Sequence, residues 1–269
     1  MICFPNVKIN IGLYITGKRN DGFHNLESIF CPVPFCDVLE IIPAKKFTFQ
    51  TEGIAATENP EDNLCVKAYR MLQQDFDLEP VEIFLLKNIP TGAGLGGGSS
   101  DASFTLKLLN TLFKLNLSDG KLIEYAAKLG SDCPFFIINK PAYVFGRGEL
   151  QEQTDLDLSG KYITIIHPGI HISTKDAFAN ITPQQANIRT YRIPDIPLTA
   201  WKNMLRNDFE PFAFKSYPIL QDIKNSLYLA GAEYVSMSGS GSAIYAISEK
   251  YFDVPQEWKM NYVVWQGKL

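Results

Sequence analysis

The sequence predicts an α+β fold in two lobes, on three observations. Strand-like and helix-like segments are mixed without the strict alternation that a parallel α/β sheet requires. The 269 residues can bury a substantial core, and no internal repeat or low-complexity tract interrupts them. A polar stretch over residues 150–160, carrying Asp155, Asp157 and Gly160, marks a change of composition. One lobe, 1–155, is expected to give way there to a second, 156–269.

Residues 7–14 alternate weakly and run into the turn-rich segment Thr16-Gly17-Lys18-Arg19-Asn20-Asp21-Gly22. Residues 26–33 and Val38–Pro43 read as further strands, so the chain is expected to open as a β-meander. Lys8 and Asn10 stand two apart and share a face of the first strand. A lysine on an inward face is costly unless it meets an anion. The alternative is a solvated face, and the pattern alone favours neither. Asn63 is the expected N-cap of a helix over 64–72, and 81–86 reads as an apolar strand. After the glycine-rich stretch a helix is expected to about residue 115, with Ala102, Leu106, Leu109 and Phe113 on one stripe. Ser118 opens the next helix and Gly130 closes it. In Gly130-Ser131-Asp132-Cys133-Pro134-Phe135-Phe136, an aspartate before a proline and an apolar run reads, on its own, as the N-cap of a short helix. A strand over 142–145 ends the first lobe. The second has a strand over 162–166, a helix opened by Ser173, and helices around 201–205 and 219–230. Another glycine loop, Ser238-Gly239-Ser240-Gly241-Ser242, lies between two strands.

The stretch Pro90-Thr91-Gly92-Ala93-Gly94-Leu95-Gly96-Gly97-Gly98-Ser99-Ser100 carries the chemistry. Glycines cost backbone entropy and give the core no side chain. Their use here is a loop whose amides approach an anion closely, at the positive end of the helix that follows. The two serines add hydroxyl donors, or a hydroxyl for a metal ion. A Walker A loop is excluded, because no lysine occurs between Lys87 and Lys107. The dinucleotide pattern G-x-G-x-x-G is met by Gly92, Gly94 and Gly97, with Asp119 roughly twenty residues on. Pro90 nevertheless separates strand from glycines, and Asp119 opens a helix instead of ending a second strand. A purely structural turn is the remaining bland reading.

A net charge of −4 argues against a nucleic-acid partner, so any phosphate site must be local. No apolar run approaches the length of a membrane span, and Met1-Ile2-Cys3-Phe4-Pro5 leads into a strand without a signal peptide. The five cysteines, Cys3, Cys31, Cys36, Cys65 and Cys133, lack C-x-x-C spacing. They fit a reduced cytoplasm and argue against a metal cluster.

Three segments together carry a resemblance: Pro5-Asn6-Val7-Lys8-Ile9-Asn10 continuing to Gly22-Phe23-His24-Asn25-Leu26, the loop over 90–100, and residues 238–246. Each resembles its counterpart in the GHMP small-molecule kinases. Their order and spacing, with Asp132-Cys133-Pro134 between them, are similar to one branch over nearly the whole chain. That branch uses ATP to phosphorylate the 2-hydroxyl of a cytidine-diphosphate-linked methylerythritol in non-mevalonate isoprenoid synthesis. The resemblance implies an S5-like N-terminal lobe and a ferredoxin-like C-terminal lobe with the site between them, in a monomer or homodimer. By the same resemblance Lys8 and Asp132 match the catalytic pair, and the glycine loop holds the ATP phosphates. Mg²⁺ is expected beside Ser99 or Ser100. Asn63, Leu64 and Lys87 match positions lining the adenosine. Phe23, His24 and Phe178 match those holding the cytidine end, with Asn10 and Thr174 as polar contacts. His167 and His171 are expected to be incidental. Two positions depart from the family: Asn6 replaces its usual alanine and Phe23 its usual tyrosine, which removes a hydroxyl but keeps a stacking face.

Overall fold

The computed structural model describes residues 1–54, 59–186 and 188–269. The chain enters through β1 (Ile2–Cys3), β2 (Asn6–Lys18), β3 (His24–Cys36), β4 (Val38–Pro43) and β5 (Thr48–Gly53). Helix α1 (Leu64–Phe76), β6 (Val81–Lys87), α2 (Gly97–Leu112), α3 (Asp119–Leu129) and α4 (Cys133–Ile138) follow. Then come β7 (Ala142–Gly146), β8 (Leu150–Gln153), β9 (Tyr162–His167), α5 (Thr174–Ala179), α6 (Leu198–Met204), α7 (Glu210–Ser216) and α8 (Pro218–Leu229). The chain ends with β10 (Tyr234–Met237), β11 (Ile244–Ser248), α9 (Gln256–Asn261) and β12 (Val263–Lys268).

Two compact units interleave along this sequence. One comprises Met1–Val7, Phe35–Thr91 and Gly96–Lys140, the other Lys8–Pro34, Gly92–Leu95 and Pro141–Leu269. Residues 1–155 therefore contribute to both. The glycine loop itself is divided, its ends in the first unit and its crest, residues 92–95, in the second.

In the first unit the strand order is β1-β4-β6-β5, with β5 parallel to β6 and the other pairs antiparallel. Leu39 and Ile41 of β4 stand opposite Leu85 and Ile83 of β6 and share a buried face. Cys65, Ala68, Tyr69 and Leu72 of α1, Ala102, Leu106 and Leu109 of α2, and Leu122, Tyr125 and Ala126 of α3 join the same cluster. Each fully buried large apolar side chain contributes about 1.5–3 kcal/mol. The helix starts read from sequence are present: Asn63 Oδ1 accepts from Cys65 N at 2.9 Å and Ser118 Oγ from Lys121 N at 3.3 Å.

The expected β-meander is not formed. β2 and β3 are neighbours in the sheet β2-β3-β7-β8, whereas β4 joins the sheet of β6. All six residues of β4 pair with β6, and Asp37 lies fully buried between β3 and β4. Its Oδ1 accepts the backbone N–H groups of Asn88 and Ile89, at 2.6 and 2.8 Å, and so pins the start of β4 beside the end of β6. The stretch expected to mark the lobe boundary, 150–160, begins as strand β8, which pairs with β7.

The second unit contains the antiparallel sheet β10-β11-β9-β12. Its core gathers Leu13, Ile15, Ile166, Phe209, Leu220, Ile223, Val235, Met237 and Ile244. The solvated alternative for the first strand is overturned, because Lys8 and Asn10 are each 3% exposed. Their strand is covered within this unit, where Tyr245 Oη donates to the Asn10 carbonyl at 2.7 Å. Ser173 Oγ caps α5 by accepting from Asp176 N at 3.3 Å. No helix among the described residues is long and apolar enough to cross a membrane.

Candidate active site

Gly92, Gly94 and Gly96 adopt φ of +68°, +79° and +73°, a region that L side chains rarely enter. Gly96 is the N-cap of the sixteen-residue helix α2 and provides no side-chain capping bond. No side chain at the N-cap therefore meets the first-turn amides of α2, the positive end of its dipole. At the crest, a Cβ on Gly94 would overlap the carbonyl oxygen of Ser238. Ser238 Oγ donates to the Gly94 carbonyl at 2.9 Å, and Ala243 N donates to the Ala93 carbonyl at 3.1 Å. Lys8 N donates to the Leu95 carbonyl at 2.9 Å. The second glycine loop thus seats the crest of the first. His171, expected to be incidental, lies against Gly92, with Nδ1 3.0 Å from where a Cβ would stand.

Lys8 Nζ donates to Asn10 Oδ1 at 2.6 Å and stands 4.4 Å from the centroid of Phe30. Asn10 Oδ1 also accepts from Gly239 N at 3.0 Å, while its Nδ2 donates to Ser28 Oγ at 3.1 Å. Ser28 Oγ in turn donates to the Gly12 carbonyl at 2.6 Å. Asn10, expected as a polar contact for substrate, is thus buried support for Lys8 and the second glycine loop. No sequence periodicity reveals this network, because its members lie on three distant segments.

Asp132 is half-buried and immediately precedes α4. Its backbone is helical (φ −83°, ψ −16°), and its carboxylate makes no capping bond to that helix. The reading of Asp132 as a helix cap therefore fails. The position is fixed from behind by Ser103 of α2, whose Oγ bonds the Cys133 carbonyl at 2.7 Å and the Ser99 carbonyl at 2.8 Å. Of the two loop serines, Ser99 is half-buried. Ser100 is fully buried, with its Oγ lacking a hydrogen-bond partner among the described residues. Among the described residues no group of three or more His, Cys, Asp or Glu is arranged to hold a metal ion.

Residues expected at a cytidine end cluster in the second unit. The His24 ring stacks on Phe178 with centroids 5.1 Å apart, and Phe178 meets Phe209 edge-on at 4.9 Å. Phe23 is 55% exposed, leaving ring surface for a planar ligand, and the Arg147 guanidinium lies 5.0 Å from its centroid. Arg147 is absent from the sequence reading, since nothing in the turn at Gly146-Arg147-Gly148 points to residue 23. Exposed Thr174 stands 3.4 Å from Ser240 through their hydroxyls.

The three positions expected to line adenosine differ in character. Asn63 spends its side-chain oxygen on capping α1, and Leu64 Cδ1 lies 4.0 Å from a Cβ position on Gly98. Lys87 is buried, with its ammonium on two carboxylates: it pairs with Asp37 Oδ2 and donates to Asp101 Oδ2 at 2.6 Å. Burial opposes the charge on Lys87, but Asp101 and Asp37 together outweigh it and raise its pKa. Burial, with the Asp37 charge adding to it and Lys87 opposing, pushes Asp101 up to about 7.

Comparison with known proteins identifies the family. Residues 63–140 match the GHMP kinases N terminal domain, and residues 196–258 the GHMP kinases C terminal family. The 4-diphosphocytidyl-2-C-methyl-D-erythritol kinase of Bacteroides thetaiotaomicron is 49% identical over 274 residues, with 100% of each chain covered. A crystal structure of 4-(cytidine 5'-diphospho)-2C-methyl-D-erythritol kinase superposes with a TM-score of 0.85 at 27% identity, covering 99% of this chain and 98% of that one. The homoserine kinase of Cytophaga hutchinsonii shares the fold alone, with a TM-score of 0.64 at 18% identity over 98% of this chain and 94% of its own.

Proposed function

Because the chain belongs to the 4-diphosphocytidyl-2-C-methyl-D-erythritol kinases, a branch of the ATP-dependent GHMP small-molecule kinases, we propose that it transfers the γ-phosphoryl group of ATP to the 2-hydroxyl of that cytidylyl substrate, in the methylerythritol phosphate route to isoprenoids. The observation that carries the reading is 49% identity over the full length to a kinase of that name. The uncapped start of α2 beneath three glycines of positive φ supports it. The lobes of the reading are 1–155 and 156–269, and each contains one of the two family matches. The absence of a membrane-crossing helix among the described residues and five free cysteines fit a cytoplasmic site of action.

Phosphoryl transfer passes through a loose transition state, so the protein's contribution is alignment and charge stabilisation. In the proposed mechanism the loop over 90–100 and the first turn of α2 hold the β- and γ-phosphates. Mg²⁺ brought with ATP would neutralise phosphate charge there, and Ser99 or Ser100 would be the protein hydroxyl beside it. Lys8 offsets charge on the transferred group. Asp132 accepts the hydrogen bond of the substrate hydroxyl and receives its proton. An aspartate of reference pKa about 3.9 is a weak base towards an alcohol, so the proton moves late, as the oxygen–phosphorus bond forms. Phe23, His24 and Phe178 hold the cytosine, Thr174 adds a polar contact, and Asn10 fixes Lys8. Asn63, Leu64 and Lys87 complete the nucleotide side.

Coupled measurement of ADP formation tests the substrate. Saturable turnover is expected with 4-diphosphocytidyl-2-C-methyl-D-erythritol, and none with mevalonate, homoserine or a hexose. Saturation by one of those instead would overturn the choice. The crest provides a second check. Gly94→Ala forces a side chain into a left-handed position and into the Ser238 carbonyl. It is expected to lower kcat/KM for ATP by at least about a hundredfold, or roughly 2.7 kcal/mol. Steady-state kinetics within threefold of the parent would show that the crest does not shape the phosphate site.

A further inference from the structure

We propose that Asp37, Lys87 and Asp101 form a charge clamp that sets the spacing of the two ends of the glycine loop and, through it, the affinity for ATP; the proposal rests on the kinase reading above. All three lie in the first unit, with 0%, 7% and 2% of their surface exposed. Lys87 ends β6, three residues before Pro90, and Asp101 sits one turn into α2, just after the loop. The Lys87 ammonium therefore joins the incoming strand to the outgoing helix. Asp37 adds a second tie from the same carboxylate, because its other oxygen holds the amides of Asn88 and Ile89. The ends close tightly at Gly97, where an added Cβ would meet Ile89 Cγ2 at 2.7 Å and Lys87 Nζ at 3.5 Å.

Stability does not account for the arrangement. A buried ion triad is costly to desolvate, and apolar residues of similar volume often do as well or better. What an apolar cluster cannot supply is direction. Charge-assisted bonds fix distance and angle between two backbone segments, and a change there moves the amides at the ends of the loop. With two of its donors on carboxylates, Lys87 acts on the nucleotide by positioning the loop.

The test compares Asp101→Asn and Asp37→Asn with a variant lacking all three charges, Asp37→Leu/Lys87→Met/Asp101→Leu. Each single variant is expected to raise KM for ATP at least about tenfold and to leave KM for the cytidylyl substrate within twofold. The triple variant is expected to melt at or above the temperature of Asp37→Asn while its ATP affinity stays weakened. Unchanged KM for ATP in either folded single variant would overturn the clamp, as would equal rises for both substrates. Asp101→Asn is nearly isosteric and decides the matter if Asp37→Asn fails to fold. Calorimetric titration with a non-hydrolysable ATP analogue reads the same affinity without turnover. Failure of the kinase reading, seen as a parent protein that phosphorylates no alcohol, is thereby separated from failure of the clamp.

Discussion

Asp132→Asn is expected to lower kcat by about 10²–10⁴-fold, the range for removing a positioned general base. The amide keeps the shape of the side chain and can still accept a hydrogen bond from the substrate hydroxyl. It cannot take the proton, so the loss belongs in kcat, with KM for either substrate little changed. The Asp132 carboxylate does not cap α4, and α4 is held to α2 by Ser103 through the Cys133 carbonyl. The thermal midpoint is therefore expected within a few degrees of the parent. Pre-steady-state mixing of enzyme, ATP and substrate, with product quenched over time, separates the chemical step from release. A burst of normal amplitude and rate in Asp132→Asn would remove the residue from the mechanism.

Lys8→Met is expected to cost about 10²–10³-fold in kcat, comparable to the loss of one preorganised donor to developing charge. Because Lys8 is 3% exposed, a structural penalty accompanies it: Asn10 Oδ1 loses a charged donor at 2.6 Å but keeps Gly239 N. That costs about 1–3 kcal/mol, felt as a lower melting temperature. Lys8→Arg restores the charge but not the function, since a planar guanidinium does not fit where Nζ stands 4.4 Å from the Phe30 ring centroid. Titration with an ATP analogue is expected to show nucleotide binding in both variants, so that turnover, not occupancy, is lost. Activity of Lys8→Arg near that of the parent would mean that any buried cation suffices, and Lys8→Met at parental rates would dismiss the residue.

Local signals were legible where a short-range rule governs them. Asn63, Ser118 and Ser173 each cap the helix they were expected to open, since a side-chain oxygen reaches an amide two or three residues on whatever the rest of the fold does. Strand Val38–Pro43 has the expected limits for a similar reason, its alternation matching one buried face. The phosphate-nest reading of residues 90–100 drew on glycine spacing, and positive φ at Gly92, Gly94 and Gly96 is what that spacing allows.

Long-range choices were not legible. The β-meander gives way to pairing of β4 with β6, which Asp37 supports by binding amides some fifty residues away, and no periodicity announces such partners. The inward face of Lys8 and Asn10 is settled by Tyr245 and the second glycine loop, both contributed by the far end of the chain. Asp132 obeys the composition rule for a helix cap yet makes no such bond, because its backbone is already helical at that residue. Asp101 lies off the apolar stripe read for its helix, and nothing in the local pattern announces its pairing with Lys87 at the end of β6. α7 and β12 were missed as elements, the first being a single short segment and the second a half-buried edge strand carrying Gly267.

Phosphorus NMR of the complete reaction tests the central claim most directly. With the parent protein, ATP and 4-diphosphocytidyl-2-C-methyl-D-erythritol, a phosphomonoester resonance is predicted to grow in step with ADP, its carbon coupling reporting attachment at the 2-hydroxyl. Growth of inorganic phosphate in its place, or the same phosphomonoester at parental rate from Asp132→Asn, would contradict the account.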